Sequence, residues 1–217
     1  MTGPSFIVGV DLGQAFDYTA VCVLQQGSRL AESEGRGSVE RTYQARHLER
    51  LPLGTSYPAQ VERIREIVLR LPASPVKPRL VVDQTGVGRP VVDMLRLAGQ
   101  DRLMAVSIHG GDQTTRDGLE WRVPKRELVS VLQVLLQSKR LEVAKQLPDA
   151  ETLVKEMLAF KVTIASNGHD SYSNDWRENP HDDLVLATAL AAWAGERVAT
   201  VRAAPQTSFS TYLSDWR

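Results

Sequence analysis

Cysteine is almost absent from this chain. The one thiol, Cys22, sits inside the apolar run "YTAVCVL", so an internal disulfide and a cysteine-built zinc site are both excluded, and Cys22 reads as a small core residue. Net charge is absent too: Lys+Arg and Asp+Glu both number 26. That balance argues against nonspecific electrostatic coating of nucleic acid, while leaving room for a local basic groove. No stretch is long and apolar enough to span a bilayer, and "MTGPSFIVGV" has neither the basic start nor the apolar stretch of a signal peptide. A soluble, intracellular protein with no membrane partner is the expectation. Internal repeats, low-complexity tracts and interior linkers are missing as well. The economical reading is one domain over residues 1–197, followed by a loosely attached tail at 198–217.

What is present is a globular composition, 42% apolar and 24% charged, in 217 residues, enough to bury a substantial core. "FIVGVD" (6–11) and "YTAVCVLQQ" (18–26) read as neighbouring strands, and "TYQARHLERL" (42–51) as a third at a sheet edge. "YPAQVERIREIVLRL" (57–71) places Val61, Ile64, Ile67, Val68 and Leu71 at helical spacing. "RLVVDQTG" (79–86) reads as a buried strand, "RPVVDMLRLAG" (89–99) as a helix stopped by Gly99, and "LMAVSIHG" (103–110) as a strand. The polar, turn-rich segment 110–122 reads as a loop. "PKRELVSVLQVLLQSKRL" (124–141) reads as a helix, "DAETLVKEMLAF" (149–160) as another, "KVTIAS" (161–166) as a strand, and 167–180 as a polar loop or hairpin. A last apolar helix runs from about Asp182 to Arg197. Strands first, then strands alternating with helices, predict an α/β fold with a mixed sheet covered by helices on both faces.

The acids fall at telling places. Asp11 and Asp83 each end an apolar strand, and Asp182 and Asp183 head the last helix. Ligand sites in open α/β sheets gather at the carboxyl ends of strands, so Asp11 and Asp83 lie side by side if their strands are adjacent. A helix start at the same edge adds a third carboxylate, which the positive end of the helix dipole tolerates. Such acids repel one another, and one is driven to hold a proton unless a hard cation is shared. Oxygen-only donors suit Mg²⁺ or Mn²⁺, and a pair of such ions supports in-line displacement at a phosphodiester. Taken singly, each Asp serves equally well as a turn or cap residue. Successive helix residues point ~100° apart, and Asp183 shares a face with Ala187 and Leu190. Asp183 is therefore the inner ligand, with Asp182 a second ligand or cap.

The segments "VGVDLGQAFDYTAVCVL", "RLVVDQTGVGRPVVDML", "VPKRELVSVLQVLLQSKRLEV" and "HDDLVLATALAAW" together resemble the C-terminal nuclease domain of the large terminase subunit of tailed bacteriophages. The resemblance runs from about Phe6 to Ala194. It implies a ribonuclease H-like fold, related to the RuvC resolvases, and a divalent-metal-dependent endonuclease that cuts concatemeric viral DNA with two Mg²⁺ or Mn²⁺ ions. It implies Asp11, Asp83 and Asp183 as catalytic metal ligands, with Asp182 alongside, Asp17 as a further acidic position and His181 as an auxiliary residue. Where many relatives carry another Asp, three residues after the second of the pair, this chain has Leu186. The family also implies double-stranded DNA, an ATPase motor domain, a small terminase subunit and a portal as partners, in the cytoplasm of a bacterial host. No GxxxxGK[ST] phosphate loop occurs in the chain.

Lys125, Arg126, Arg122, Lys161 and Arg177 are the basic residues expected to meet DNA phosphates. Three other readings compete. "VGVDLG" also resembles the first phosphate motif of actin-like and sugar-kinase ATPases, which implies an ATP-binding phosphotransferase. A RuvC-like junction resolvase and a catalytically idle docking module are the remaining two.

Overall fold

The computed structural model describes residues 4–13, 17–31, 38–86, 89–166 and 181–197, with backbone alone over 160–166. Among the described residues, eight strands and five helices follow one another: β1 (Ser5–Asp11), β2 (Ala20–Ala31), β3 (Ser38–Arg50), α1 (Tyr57–Arg70), β4 (Arg79–Asp83), α2 (Arg89–Leu97), β5 (Leu103–His109), β6 (Thr115–Asp117), β7 (Glu120–Pro124), α3 (Lys125–Gln137), β8 (Leu141–Val143), α4 (Ala150–Ser166) and α5 (Asp183–Arg197). The strands form one mixed sheet in the order β6-β7-β5-β4-β1-β2-β3-β8. Strands β1, β4, β5 and β7 run parallel to one another, while β2 is antiparallel to both β1 and β3.

Side chains alternate between the faces of a strand, and here each face has its own apolar layer. Phe6, Val8, Val10, Leu80 and Val82 pack under α1 and α2 with Val61, Ile64, Ile67, Val91 and Leu95. Ile7, Cys22 and Val81 pack under α3, α4 and α5 with Leu128, Leu135, Leu153 and Trp193. Cys22 is fully buried, as its apolar setting predicts, and burial pushes its thiol up to about 12.

The second face is organised by α5. Every residue from Asp183 to Gly195 is buried, consistent with a helix that is apolar all round. It lies so close to β1 that a Cβ on Gly9 would come within 2.0 Å of the Ala187 carbonyl oxygen and 2.9 Å of the Ala191 nitrogen. At the far end of α5, Arg41 donates to the carbonyls of Gly195 at 2.8 Å and Glu196 at 2.7 Å, and the Tyr43 hydroxyl donates to the Glu196 carboxylate at 2.8 Å.

Several elements depart from the sequence reading. Residues 161–166 are not a strand: α4 continues through Ser166. The β-branched run Val162-Thr163-Ile164 favours a strand only when it has a partner, and the sheet's edges are already occupied by β6 and β8. The segment 110–122 is not all loop, because β6 and β7 form a hairpin around Gly118, whose φ is +58°. Its polar composition reflects a fully exposed edge strand. Strand β3 is not the edge, since β8 pairs outside it over Tyr43–Ala45. That short strand takes its residues from just beyond α3, which ends at Gln137 rather than 141. Residues 167–180 and the tail 198–217 lie outside the described residues.

Candidate active site

The parallel run of β1, β4, β5 and β7 brings their carboxyl ends to one edge of the sheet. Strands β1 and β4 are direct neighbours there, paired from Ile7↔Arg79 to Asp11↔Asp83. The two acids thus stand side by side at the last rung of the ladder. Alternation puts both on the face of Ile7 and Val81, toward α5. Helix α5 begins at the same edge with Asp183, and α3 begins there with Lys125, immediately after β7.

Burial dominates the electrostatics. Asp83 is 6% exposed, and burial pushes its carboxyl up to about 6 although its Oδ1 accepts the Thr85 N–H at 2.8 Å. The turn after β4 is closed by the Thr85 Oγ1, which accepts the Ile108 N–H at 2.7 Å. Asp11 is only partly buried, yet desolvation and then the charges of Asp83, Asp183 and Asp182 hold its carboxyl well above the usual range, opposed by Lys125. Asp183 is 5% exposed and is likewise pushed up to about 6, by burial first. Asp182 and Asp17 act on it in the same direction, and His181 and Arg50 against. Its Oδ2 is buried with no hydrogen-bond partner among the described residues, and the His181 Nδ1 stands 3.7 Å away.

The adjacent acids divide their work. The Asp182 carbonyl accepts the Leu186 N–H at 2.9 Å, which makes it the residue that opens α5, but its carboxylate turns to the Lys125 Nζ at 2.7 Å. Asp183 faces inward. Asp17 is exposed. His181 is 47% exposed and meets the edge of the Tyr18 ring, with centroids 5.1 Å apart.

Of the five basic residues expected at DNA, Lys125 stands among the acids, where its ammonium opposes the charges of Asp11 and Asp83. Arg126 is paired with Asp112 at 2.8 Å, and Arg122 is exposed on β7. The side chain of Lys161, on α4, and the whole of Arg177 lie outside the described residues.

Two residues that the sequence reading did not single out border the site. Glu156 of α4 is 5% exposed, and its Oε2 accepts the N–H groups of Leu184 at 2.9 Å and Val185 at 3.1 Å. Burial, with the nearby Asp183, raises its carboxyl to about 7 against the pull of those N–H groups and Arg50. Arg50 donates to the Glu156 Oε1 at 3.3 Å, and its guanidinium lies over the Tyr18 ring at 4.2 Å. The available signal was the helical register: Glu156 falls on the core face of α4 beside Ala150 and Leu153, an odd place for a carboxylate without a partner.

Among the described residues, no three His, Cys, Asp or Glu side chains are gathered tightly enough to close on an ion. The donor set nonetheless suits a hard cation: carboxylate oxygens alone, each held above its usual protonation range by burial, and one buried oxygen left without a partner.

No protein-family model and no curated protein matches the sequence. Solved structures do. The large terminase nuclease from thermophilic phage G20c aligns over 87% of this chain and 81% of its own, with a TM-score of 0.50 and 19% identity. The human cytomegalovirus terminase nuclease domain aligns over 88% of this chain and 83% of its own, with a TM-score of 0.52 and 16% identity. The chain therefore has the ribonuclease H-like fold of these nuclease domains, a mixed sheet covered by helices on both faces.

Proposed function

We propose that the chain is a divalent-metal-dependent DNA endonuclease of the terminase type, cutting concatemeric viral DNA during genome packaging. The observation that carries this reading is the in-register pair Asp11↔Asp83 at the sheet edge where α5 begins with the buried carboxylate of Asp183, one oxygen of which has no hydrogen-bond partner among the described residues. Asp11, Asp83 and Asp183 would hold Mg²⁺ or Mn²⁺, with Asp182 and Asp17 flanking them. When bound, two such ions lower the pKa of an attacking water and stabilise the leaving oxygen of a phosphodiester.

The chain's own residues prepare that chemistry. The Thr85 N–H holds one oxygen of the Asp83 carboxylate. Lys125 draws the Asp182 carboxylate away from the α5 terminus and offsets part of the negative potential that would repel a phosphate. His181 would flank the site, half exposed with its Nδ1 3.7 Å from the Asp183 Oδ2. Arg122 and Arg126 would supply phosphate contacts to double-stranded DNA, together with Lys161 and Arg177, whose side chains lie outside the described residues. By the same reading the partners are an ATPase motor, a small terminase subunit and a portal, in the cytoplasm of a bacterial host.

Incubation of the chain with supercoiled plasmid tests this. Nicking or linearisation in Mg²⁺ or Mn²⁺, with little sequence preference and lost in Asp83→Ala, is the expected result. Intact plasmid in both metals overturns it: ATP binding would then favour the phosphotransferase, and partner binding without ATP a docking module.

A further inference from the structure

The two ends of α5 are held by different means, and the end that carries Asp183 is held from outside the helix. Its opening residue, Asp182, would ordinarily cap the first turn with its own carboxylate, but that group is committed to Lys125 at 2.7 Å. The two main-chain donors that follow Asp183 go instead to a single oxygen of Glu156, 28 and 29 residues away in sequence, at 2.9 and 3.1 Å. The N-cap residues of α1 and α3, Ser56 and Pro124, make no side-chain hydrogen bond to their helices. From these contacts we infer that Glu156 is the positioning residue for Asp183, setting where the third carboxylate of the site stands. The inference rests on the metal-dependent reading given above.

The geometry explains why one side chain suffices. An oxygen shared by the N–H groups of Leu184 and Val185 resists both sliding of α5 along its axis and rotation about it, because either motion lengthens at least one of the two bonds. Both bonds sit at the positive end of the helix dipole, which favours an acceptor oxygen there. Arg50 holds the other oxygen at 3.3 Å and ties the arrangement to the end of β3, while stacking on Tyr18, the ring that His181 meets edge-on. Strand β3, α4 and the start of α5 are thus joined through Glu156. Groups that orient metal ligands from behind typically change metal affinity by about 10–100-fold when removed.

Calorimetric titration of the whole chain with Mn²⁺, alongside its melting curve, tests the assignment. Glu156→Ala should weaken Mn²⁺ binding by about 10-fold or more while the far-ultraviolet spectrum stays that of the folded protein. Glu156→Gln keeps a carbonyl oxygen to receive both N–H groups and should restore binding toward the wild-type value. A folded Glu156→Ala that melts earlier yet binds Mn²⁺ like wild type overturns the inference, for Glu156 would then stabilise the helix and nothing more. If the alanine variant cannot be recovered folded, Glu156→Asp withdraws the carboxylate by one methylene. Its weakened binding supports the assignment, and wild-type binding rejects it. Failure of the underlying metal reading shows up separately, as a wild-type chain that takes up no Mn²⁺ at all.

Discussion

Asp83 is costly to the metal-free fold. Its buried carboxyl titrates at about 6, against an ordinary 3.8. Below about pH 4 the folded and unfolded chains both hold the proton, and burial of this group exacts no electrostatic penalty. As pH rises toward 6 the unfolded chain releases the proton first, so the stability present in acid is lost, and above the folded value the loss is complete. Asp183 behaves in the same way. Asp83→Asn keeps an oxygen for the Thr85 N–H and removes the charge. In the absence of metal it should therefore melt above wild type at pH 8, by an amount on the order of 2 kcal/mol, with the gap closing toward pH 4, while nuclease activity vanishes. Thermal melts at the two pH values check this, and a variant that melts below wild type at pH 8 contradicts it. At this scale the sequence was informative where an acid borders an apolar run, closing it at Asp11 and Asp83 and heading it at Asp183. Glu156 was hidden, because its partners are main-chain groups of a helix that the local sequence does not place beside it.

Helix α5 shows the same division among elements. Its apolar run announces a buried helix, and Ala187 announces a close approach, but the surface it approaches becomes known only from the sheet. Gly9 supplies that surface, leaving no room for a methyl group against the Ala187 carbonyl. Gly9→Ala should lose several kcal/mol or fail to fold, since the obstruction is rigid main chain rather than a movable side chain. Denaturant unfolding measures this, and a near-neutral result would mean that α5 sits further from β1. The hairpin of β6 and β7 was legible and went unread: Asp117-Gly118 is a strong short-range turn signal, masked by the polarity of an exposed edge. The end of α4 was not legible, because β-branched residues accept either state and neighbouring elements decide.

For the whole molecule, what no local pattern reveals is strand order. Asp11 and Asp83 become neighbours because β4 returns, by way of α1, to the free side of β1. The resulting cluster of acids is under mutual repulsion that a dication relieves, so millimolar Mn²⁺ should raise the melting temperature by binding the folded state alone. An unchanged melting curve would count against a preformed site. On the proposed reading cleavage should also fall steeply as salt rises, since contact with DNA would run through phosphates. Plasmid assays between about 50 and 200 mM salt test this, and a flat profile would speak against an electrostatic groove.

The place of α5 in the chain has a consequence for biogenesis. A ribosome that has translated both strand acids has yet to make Asp183, and the layer of the core that seats it has no central helix. The nascent polypeptide then holds Asp11 and Asp83 without Asp183, so the proposed centre would come into being when α5 docks. On the proposed reading, an emerging chain would complete its set of ligands only at that point.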